Sequence, residues 1–449
     1  MTVPQFGLIA GVLLIAVGTA VMVTPLCSKD TVSLWEAFFT VTSAVTVTGL
    51  SIISINDDLT PLGQGVLASL ILTGGLGLMI IINFLQNFIQ KGSGLRSRLD
   101  KGRALDEFGV GGIGPAFYQI LIVAAFLISL GTLILYSFGF TDISNRGERL
   151  WAAFFHCISA YNNAGFSLWS DNLIRYRCNS VVNVVIGLLI ILGGIGWRVT
   201  SDIWSNRNHL SIKRLSLHTR IVLLTTLGYI ILGSIGLFLG EIHNLTGIVS
   251  TLNRKEKFLV VLFQSITTRT AGFSTIPLSQ DLVSDSSLLM MIFMMFIGAS
   301  PGGTGGGIKT TTFAVLMSAT QATLRGQKDI VIFGRQISEK ILLKAVAVTV
   351  SSLIFVIFMA FFLTLELTYQ GNLNNPDQIS FLEKLFTCVS AFGTVGLDIG
   401  VTSKLSHFGQ FILMFSMFVG RLGIILSLNV LMSTQQQSRI SFPREEIYV

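Results

Sequence analysis

Apolar segments long enough to cross a bilayer recur along the whole chain, near 6–24, 63–90, 115–138, 181–204, 221–240, 286–324, 342–365 and 408–432. A spanning helix takes about 20 consecutive apolar residues. Eight such segments leave no stretch for a sizeable water-soluble core. Charge agrees: 12% of the residues are charged and 51% are hydrophobic, whereas a soluble domain carries about 25% charged residues. Four shorter semi-apolar segments lie inside the pairs, at 33–45, 149–161, 257–268 and 381–392. Segments of about 10–14 residues cannot cross, and re-entrant helices are one use of that length. The start, Met1 to Thr24, has no basic leader and no small-residue cleavage site, so it reads as the first span rather than a cleaved signal.

An even number of spans puts both termini on one side. The clearest basic cluster is Lys91, Arg96, Arg98, Lys101 and Arg103. Basic loops stay in the cytoplasm, so the expectation is a multi-pass protein of the cytoplasmic membrane with both termini inside. The net charge of +7 then belongs to topology and contact with membrane lipid, not to nucleic acid. The outer loops keep an excess of acids, which raises the local cation concentration. Four cysteines and five histidines form no metal or disulfide pattern. No nucleophile–base set appears at membrane depth, which argues against an enzyme.

The short segments repeat. Leu34-Trp-Glu-Ala-Phe-Phe is echoed by Leu150-Trp-Ala-Ala-Phe-Phe. Each short segment runs into a loop with one aligned glycine, Gly49, Gly165, Gly272 or Gly396, spaced at close to a quarter of the chain. A second glycine register follows inside the next span: Gly74-Gly75-Leu-Gly77, Gly193-Gly194-Ile-Gly196 and Gly420-Arg421-Leu-Gly423, with an expanded form at Gly298–Lys309. Two registers in one order mark an internal repeat. The expected fold is an all-α integral membrane protein of four helix–pore-loop–helix units in pseudo-fourfold arrangement around one pore. The units are 1–105, 106–213, 214–336 (with the glycine-rich loop 298–309) and 337–449 with a cytoplasmic C-terminus.

Irregular backbone at membrane depth must be buried in protein or line a water-filled cavity. Four polar loops at one depth would share one cavity, where carbonyls replace part of an ion's water shell. The expected filter comprises Thr46, Val47, Thr48 and Gly49; Asn162, Asn163, Ala164 and Gly165; Thr270, Ala271 and Gly272; and Thr394, Val395 and Gly396. Glycine permits positive φ there, and re-entrant helices aim their negative C-terminal ends inward. No carboxylate occupies these loops, which disfavours a divalent site with charged ligands. The ion is therefore monovalent, held by backbone carbonyls. Arg269 reads as a filter-backing residue whose donors hold loop carbonyls. His156 and Cys157, on the second short helix, read as packing residues.

Thr-Val-Thr-Gly49, Asn-Asn-Ala-Gly165-Phe, Thr-Arg-Thr-Ala-Gly272-Phe, Gly-Thr-Val-Gly396-Leu, the glycine-rich segment 298–309 and Arg421 together resemble the Trk/Ktr/HKT superfamily of K⁺ transporters and channels, nearest to the membrane subunit of Ktr systems. The resemblance covers essentially the whole chain. It implies four filter loops around one pore, K⁺ preference with Gly49, and a gate below the filter. It also implies a homodimer on a separate cytoplasmic ring of nucleotide-binding (KtrA-like) regulatory subunits, and in some members Na⁺ as activator. No cofactor is expected in this chain. A Na⁺-coupled K⁺ symporter with alternating access is the second reading.

The gate maps to Gly298, Ser300, Pro301, Gly302, Gly303, Thr304, Gly305, Gly306 and Gly307, where glycine at about 1 kcal/mol and proline at about 3 kcal/mol each break a helix. A phosphate-binding loop fails because Ile308 displaces the lysine from its place. Lys309 either guards the loop's inner end or serves as a topology charge on the cytoplasmic side. Arg421 is read as lying mid-span, and an intramembrane arginine costs about 2.5–3.5 kcal/mol on insertion scales. It is expected to bond carbonyls of the gate loop and hold it across the pore.

Overall fold

Helices that start at a strong cap start in one register, and four short helices here share one. Ser33, Asn145, Asn253 and Ser380 each precede a glutamate three residues on: Glu36, Glu148, Glu256 and Glu383. In three of them the glutamate accepts from the cap's own N–H: Ser33 at 2.8 Å, Asn253 at 3.0 Å and Ser380 at 2.7 Å. In the other, the Asn145 oxygen accepts from Gly147 N at 3.0 Å. Such caps contribute about 0.5–2 kcal/mol each.

The computed structural model describes residues 3–29, 32–75, 113–207, 211–241, 252–279, 282–369 and 379–423. The helices are α1 Val3–Met22, α2 Leu34–Thr46, α3 Ile55–Asp58, α4 Pro61–Gly75, α5 Ile113–Ile134, α6 Arg146–Tyr161, α7 Ser180–Gly194, α8 Trp197–Ser205, α9 Leu217–Glu241, α10 Arg254–Thr267, α11 Asp285–Phe296, α12 Thr310–Leu324, α13 Glu339–Tyr369, α14 Phe381–Phe392 and α15 His407–Leu422. Among the described residues the fold is mostly helical, with one small hairpin in which Val331–Ile332 pairs with Arg335–Gln336.

The four capped helices α2, α6, α10 and α14 match the short segments read from sequence to within three residues. Among the described residues, three helical stretches are long and apolar enough to cross a membrane, Gln119–Gly139, Leu217–Glu241 and Glu339–Glu366. A fourth candidate is the pair α7 and α8, bent by 92°. The expected unbroken span at 181–204 is thus corrected to two helices. Gly196, at φ 88°, makes the corner, a conformation that glycine adopts without steric penalty. The expected span at 286–324 is interrupted between α11 and α12, where the glycine-rich segment lies. The basic cluster from Lys91 to Arg103, the later part of the 63–90 segment with Gly77, and the C-terminal segment lie outside the described residues.

Packing follows a cyclic order. Each capped helix lies against the second long element of the preceding quarter of the chain: α2 on α15, α6 on α4, α10 on α7 and α14 on α11. The second glycine register serves a different close contact, within each quarter. A Cβ on Gly74, Gly193 or Gly420 would collide with the carbonyl of Val45, Tyr161 or Phe392, each at the C-terminal end of a capped helix. Except in the third quarter, these glycines are close-approach positions.

Candidate functional site

The end of each capped helix turns into a loop with the same unusual backbone. Val47, Asn163, Thr270 and Thr394 have φ of 57°, 57°, 62° and 49°, and two residues later Gly49, Gly165, Gly272 and Gly396 have 98°, 68°, 75° and 89°. Non-glycine residues seldom adopt positive φ, and a threonine or valine there is a genuine outlier. Four recurrences at aligned positions mark a shared backbone design.

The four loops close into a ring. A Cβ on Gly49 would strike the carbonyl oxygen of Ala164; one on Gly165, that of Ala271; one on Gly272, that of Val395; and one on Gly396, that of Thr48. Every glycine therefore faces the carbonyl of the next loop in chain order, and the fourth returns to the first. The expected filter residues from Thr46 to Gly49, Asn162 to Gly165, Thr270 to Gly272 and Thr394 to Gly396 are brought together and buried or nearly so.

Serines hold the loops from behind. Ser43 Oγ accepts from Gly49 N at 3.0 Å, and Ser390 Oγ accepts from Gly396 N at 3.1 Å while donating to Leu397 O at 2.7 Å. In the third loop Thr267 Oγ1 donates to Phe273 O at 2.6 Å. Sequence reasoning assigned these groups no role, although Ser43, Ser159 and Ser390 each stand six residues before a ring glycine. It also missed Asn172, at φ 54°, whose amide donates to Gly272 O at 3.5 Å and accepts from Ser274 N at 3.3 Å. His156 stacks on Trp169 at 4.3 Å and its Nε2 meets Ser167 Oγ at 3.0 Å, in keeping with a packing role.

On one side of the ring lies a cavity of ≈ 280 Å³ lined by all four ring glycines and by residues that follow them, including Ser51, Ser167 and Asp398. On the other side lies the glycine-rich loop. Its ends pair, with Gly298 N donating to Ile308 O at 2.8 Å and Ala299 N to Gly306 O at 3.3 Å. Its body is tied to the bend after α7: Ser300 N donates to Gly194 O at 3.1 Å, Thr304 N to Gly193 O at 3.2 Å, and Trp197 N to Gly302 O at 3.2 Å. Its returning limb meets the ring: Thr394 Oγ1 accepts from Gly306 N at 2.9 Å, and Gly305 packs on Thr270 Oγ1. These two threonine hydroxyls thus serve the loop below. Thr46 Oγ1 likewise donates to Thr42 O at 2.8 Å, and the Asn162 amide folds back to Ile158 O at 2.8 Å.

Two arginines grip this loop. Arg421 donates to the carbonyl of Thr304 and to those of Gly74 and Gly75, the last at 3.3 Å. It joins the loop to the last described residues of α4. It is the penultimate residue of α15, which Gly423 caps at φ 85°; the rest of the expected 408–432 span lies outside the described residues. Arg269 departs from its expected contacts. Its Nη2 reaches Ser300 Oγ at 2.9 Å and Gly194 O at 3.4 Å. Nη2 therefore holds the glycine-rich loop and the end of α7 rather than a ring carbonyl, because the side chain descends away from the ring. Ser300 Oγ in turn meets Thr310 Oγ1 at 2.8 Å. Lys309 Nζ donates to Gly305 O at 2.8 Å.

A profile of the cation transport protein family TrkH matches residues 8–441. The chain belongs to this TrkH family of cation transport proteins. It is 36% identical over 447 residues to the Ktr system potassium uptake protein B of Bacillus subtilis, covering 100% of this chain and 96% of the relative. It is 30% identical to the potassium/sodium uptake protein NtpJ of Enterococcus hirae, covering 97% and 94%. The crystal structure of the potassium transporter TrkH from Vibrio parahaemolyticus shares the fold, with TM-score 0.73 and 17% identity over 96% of this chain and 85% of that one. A TrkH-family chain is a transporter rather than an enzyme. What its ring offers chemically is a set of buried backbone oxygens, turned by paired left-handed residues and free of any carboxylate.

Proposed function

We propose that this chain takes up K⁺ across the cytoplasmic membrane through a single pore at the axis of the ring. Four helix–pore-loop–helix units, 1–105, 106–213, 214–336 and 337–449, surround that axis with both termini cytoplasmic. The observation that carries the reading is the closed circuit of glycine-to-carbonyl contacts from loop one through loop four and back. Carbonyls so arranged replace the water around a monovalent cation. The capped helices point their negative ends at the same place. The names of the Bacillus and Enterococcus relatives, a potassium uptake protein and a potassium/sodium uptake protein, support K⁺ as the ion; Na⁺ as an activator is part of the same proposal.

The glycine-rich loop from Gly298 to Lys309 is the gate, closed by Arg421 and Lys309. Their positive charges also oppose a cation beneath the ring. A separate ring of cytoplasmic nucleotide-binding subunits regulates it, and two copies of the chain form the working unit within the lipid. A Na⁺-coupled carrier with alternating access remains the second reading, favoured by the potassium/sodium label of the Enterococcus relative. Fixed Na⁺:K⁺ stoichiometry would select the carrier, and uncoupled flux would select the pore.

The test is Gly49→Ser, measured as K⁺ and Na⁺ uptake in a host lacking its own K⁺ uptake. The added Cβ meets the Ala164 carbonyl, so K⁺/Na⁺ discrimination should fall about ten-fold, equivalent to about 1.4 kcal/mol. Unchanged discrimination would sink the filter assignment.

A further inference from the structure

Two carboxylates line the cavity above the ring, Asp171 and Asp398. They are not equivalent. Arg175 embraces Asp171, with Nη2 at 2.8 Å from Oδ1 and Nε at 3.1 and 3.2 Å from the two oxygens. The guanidinium is itself held over the Trp169 ring, 5.1 Å from its centroid. Opposite charges so close cancel for an ion farther away.

Asp398 has no cation beside it among the described residues. Its Oδ1 accepts from Thr402 Oγ1 at 2.9 Å and from Thr402 N at 3.3 Å. Both donors are neutral, so they fix the carboxylate in place without supplying a countercharge. Asp398 also follows Gly396 by two residues, which keeps it within about 7 Å of the ring along the chain. The surrounding wall mixes serines, Asn172 and the ring backbone with apolar side chains such as Leu50, Phe166 and Ile276, and apart from the paired Asp171 it adds no other charged side chain.

We infer that Asp398 forms an outer cation site, where a monovalent alkali cation, partly hydrated, is held before it enters the ring. One carboxylate among neutral oxygens suits a monovalent ion, whereas divalent sites gather several carboxylates. The site rests on the transport reading and extends it: Asp398 sets the external concentration at which uptake half-saturates. The ring itself sets which ion passes.

Initial K⁺ uptake by the full-length chain, measured against external K⁺ in K⁺-uptake-deficient cells, tests this. Asp398→Asn should raise the half-saturating concentration about ten-fold, the lower end of what a charged cleft gives to on-rates, with the maximal rate unchanged. Asp398→Glu should restore most of the loss. A purely structural role for the Asp398–Thr402 turn would lower the maximal rate instead. A wild-type half-saturation in Asp398→Asn would overturn the site. If Asp398→Asn carries no uptake, K⁺-dependent thermal stabilisation of the purified protein decides. A raised K⁺ midpoint supports the site and an unchanged midpoint rejects it. Absence of K⁺ uptake by the unaltered chain would defeat the transport reading, and the thermal titration would still decide Asp398.

Discussion

The ring and the loop beneath it touch each other through Thr394 and Thr270 yet are built on opposite plans. In the ring every contact recurs four times: a left-handed residue, a glycine two positions on, and a neighbour's carbonyl against that glycine. The loop exists once, and it is held by the bend after α7, by Arg269, Arg421 and Lys309, and by Thr394 of the ring. The ring is backbone against backbone and has few ways to move without breaking its neighbours. The loop combines backbone bonds, at its ends and to the bend after α7, with side-chain bonds to Arg421, Arg269, Lys309 and Thr394 that can be exchanged. A part that selects by geometry gains from the first plan; a part that opens and closes gains from the second.

Substitutions can break this contrast or sharpen it. The largest effect belongs to the ring. Gly272→Ala places a Cβ on the Val395 carbonyl at φ 75°. Strained backbone of this kind costs about 1–3 kcal/mol, so K⁺ uptake should fall about ten- to hundred-fold. Wild-type uptake would show that the ring tolerates deformation and would dissolve the contrast.

Arg421→Ala comes next. It removes charge-assisted bonds worth about 1.5–3 kcal/mol each. K⁺ flux in the absence of regulatory subunits should rise about ten-fold, with K⁺/Na⁺ discrimination retained. Loss of discrimination would mean that the two parts are not separable. The smallest effect is expected for Thr394→Val, which keeps the ring backbone and deprives Gly306 N of its acceptor. An unpaired buried donor costs about 1–3 kcal/mol, shared between loop and ring. Resting flux should rise several-fold, less than for Arg421→Ala, and a selectivity change of any size would place this hydroxyl in the ring's function as well.

Much of the ring was legible in the sequence because it repeats. Alignment of four short segments located Gly49, Gly165, Gly272 and Gly396 and set the short helices to within three residues. The same repetition held further signals: the cap-to-glutamate interval at Ser33, Asn145, Asn253 and Ser380, and the serines six residues before three of the glycines. The loop was legible only in outline. Composition marks Gly298–Gly307 as a break, and Arg421 as its partner followed from its isolation in an apolar segment. Where the other arginine points is a matter of side-chain geometry. Arg269 is aligned with Thr46, Asn162 and Gly393, and nothing in that alignment reveals that its side chain descends to Ser300. The bend at Gly196 was hidden for a related reason. Gly74, Gly193 and Gly420 in the same register serve close approach to a neighbouring helix end, so glycine alone did not signal a corner.

The cyclic contacts of the ring carry a consequence for inheritance. A side chain introduced at one glycine presses first on the carbonyl a quarter-turn away, so the lesion and its symptom fall in different loops. Each loop is thereby constrained by its predecessor's sequence as much as by its own. Compensating changes should be sought in the adjacent quarter of the chain, at Ala164 for Gly49 and at Thr48 for Gly396.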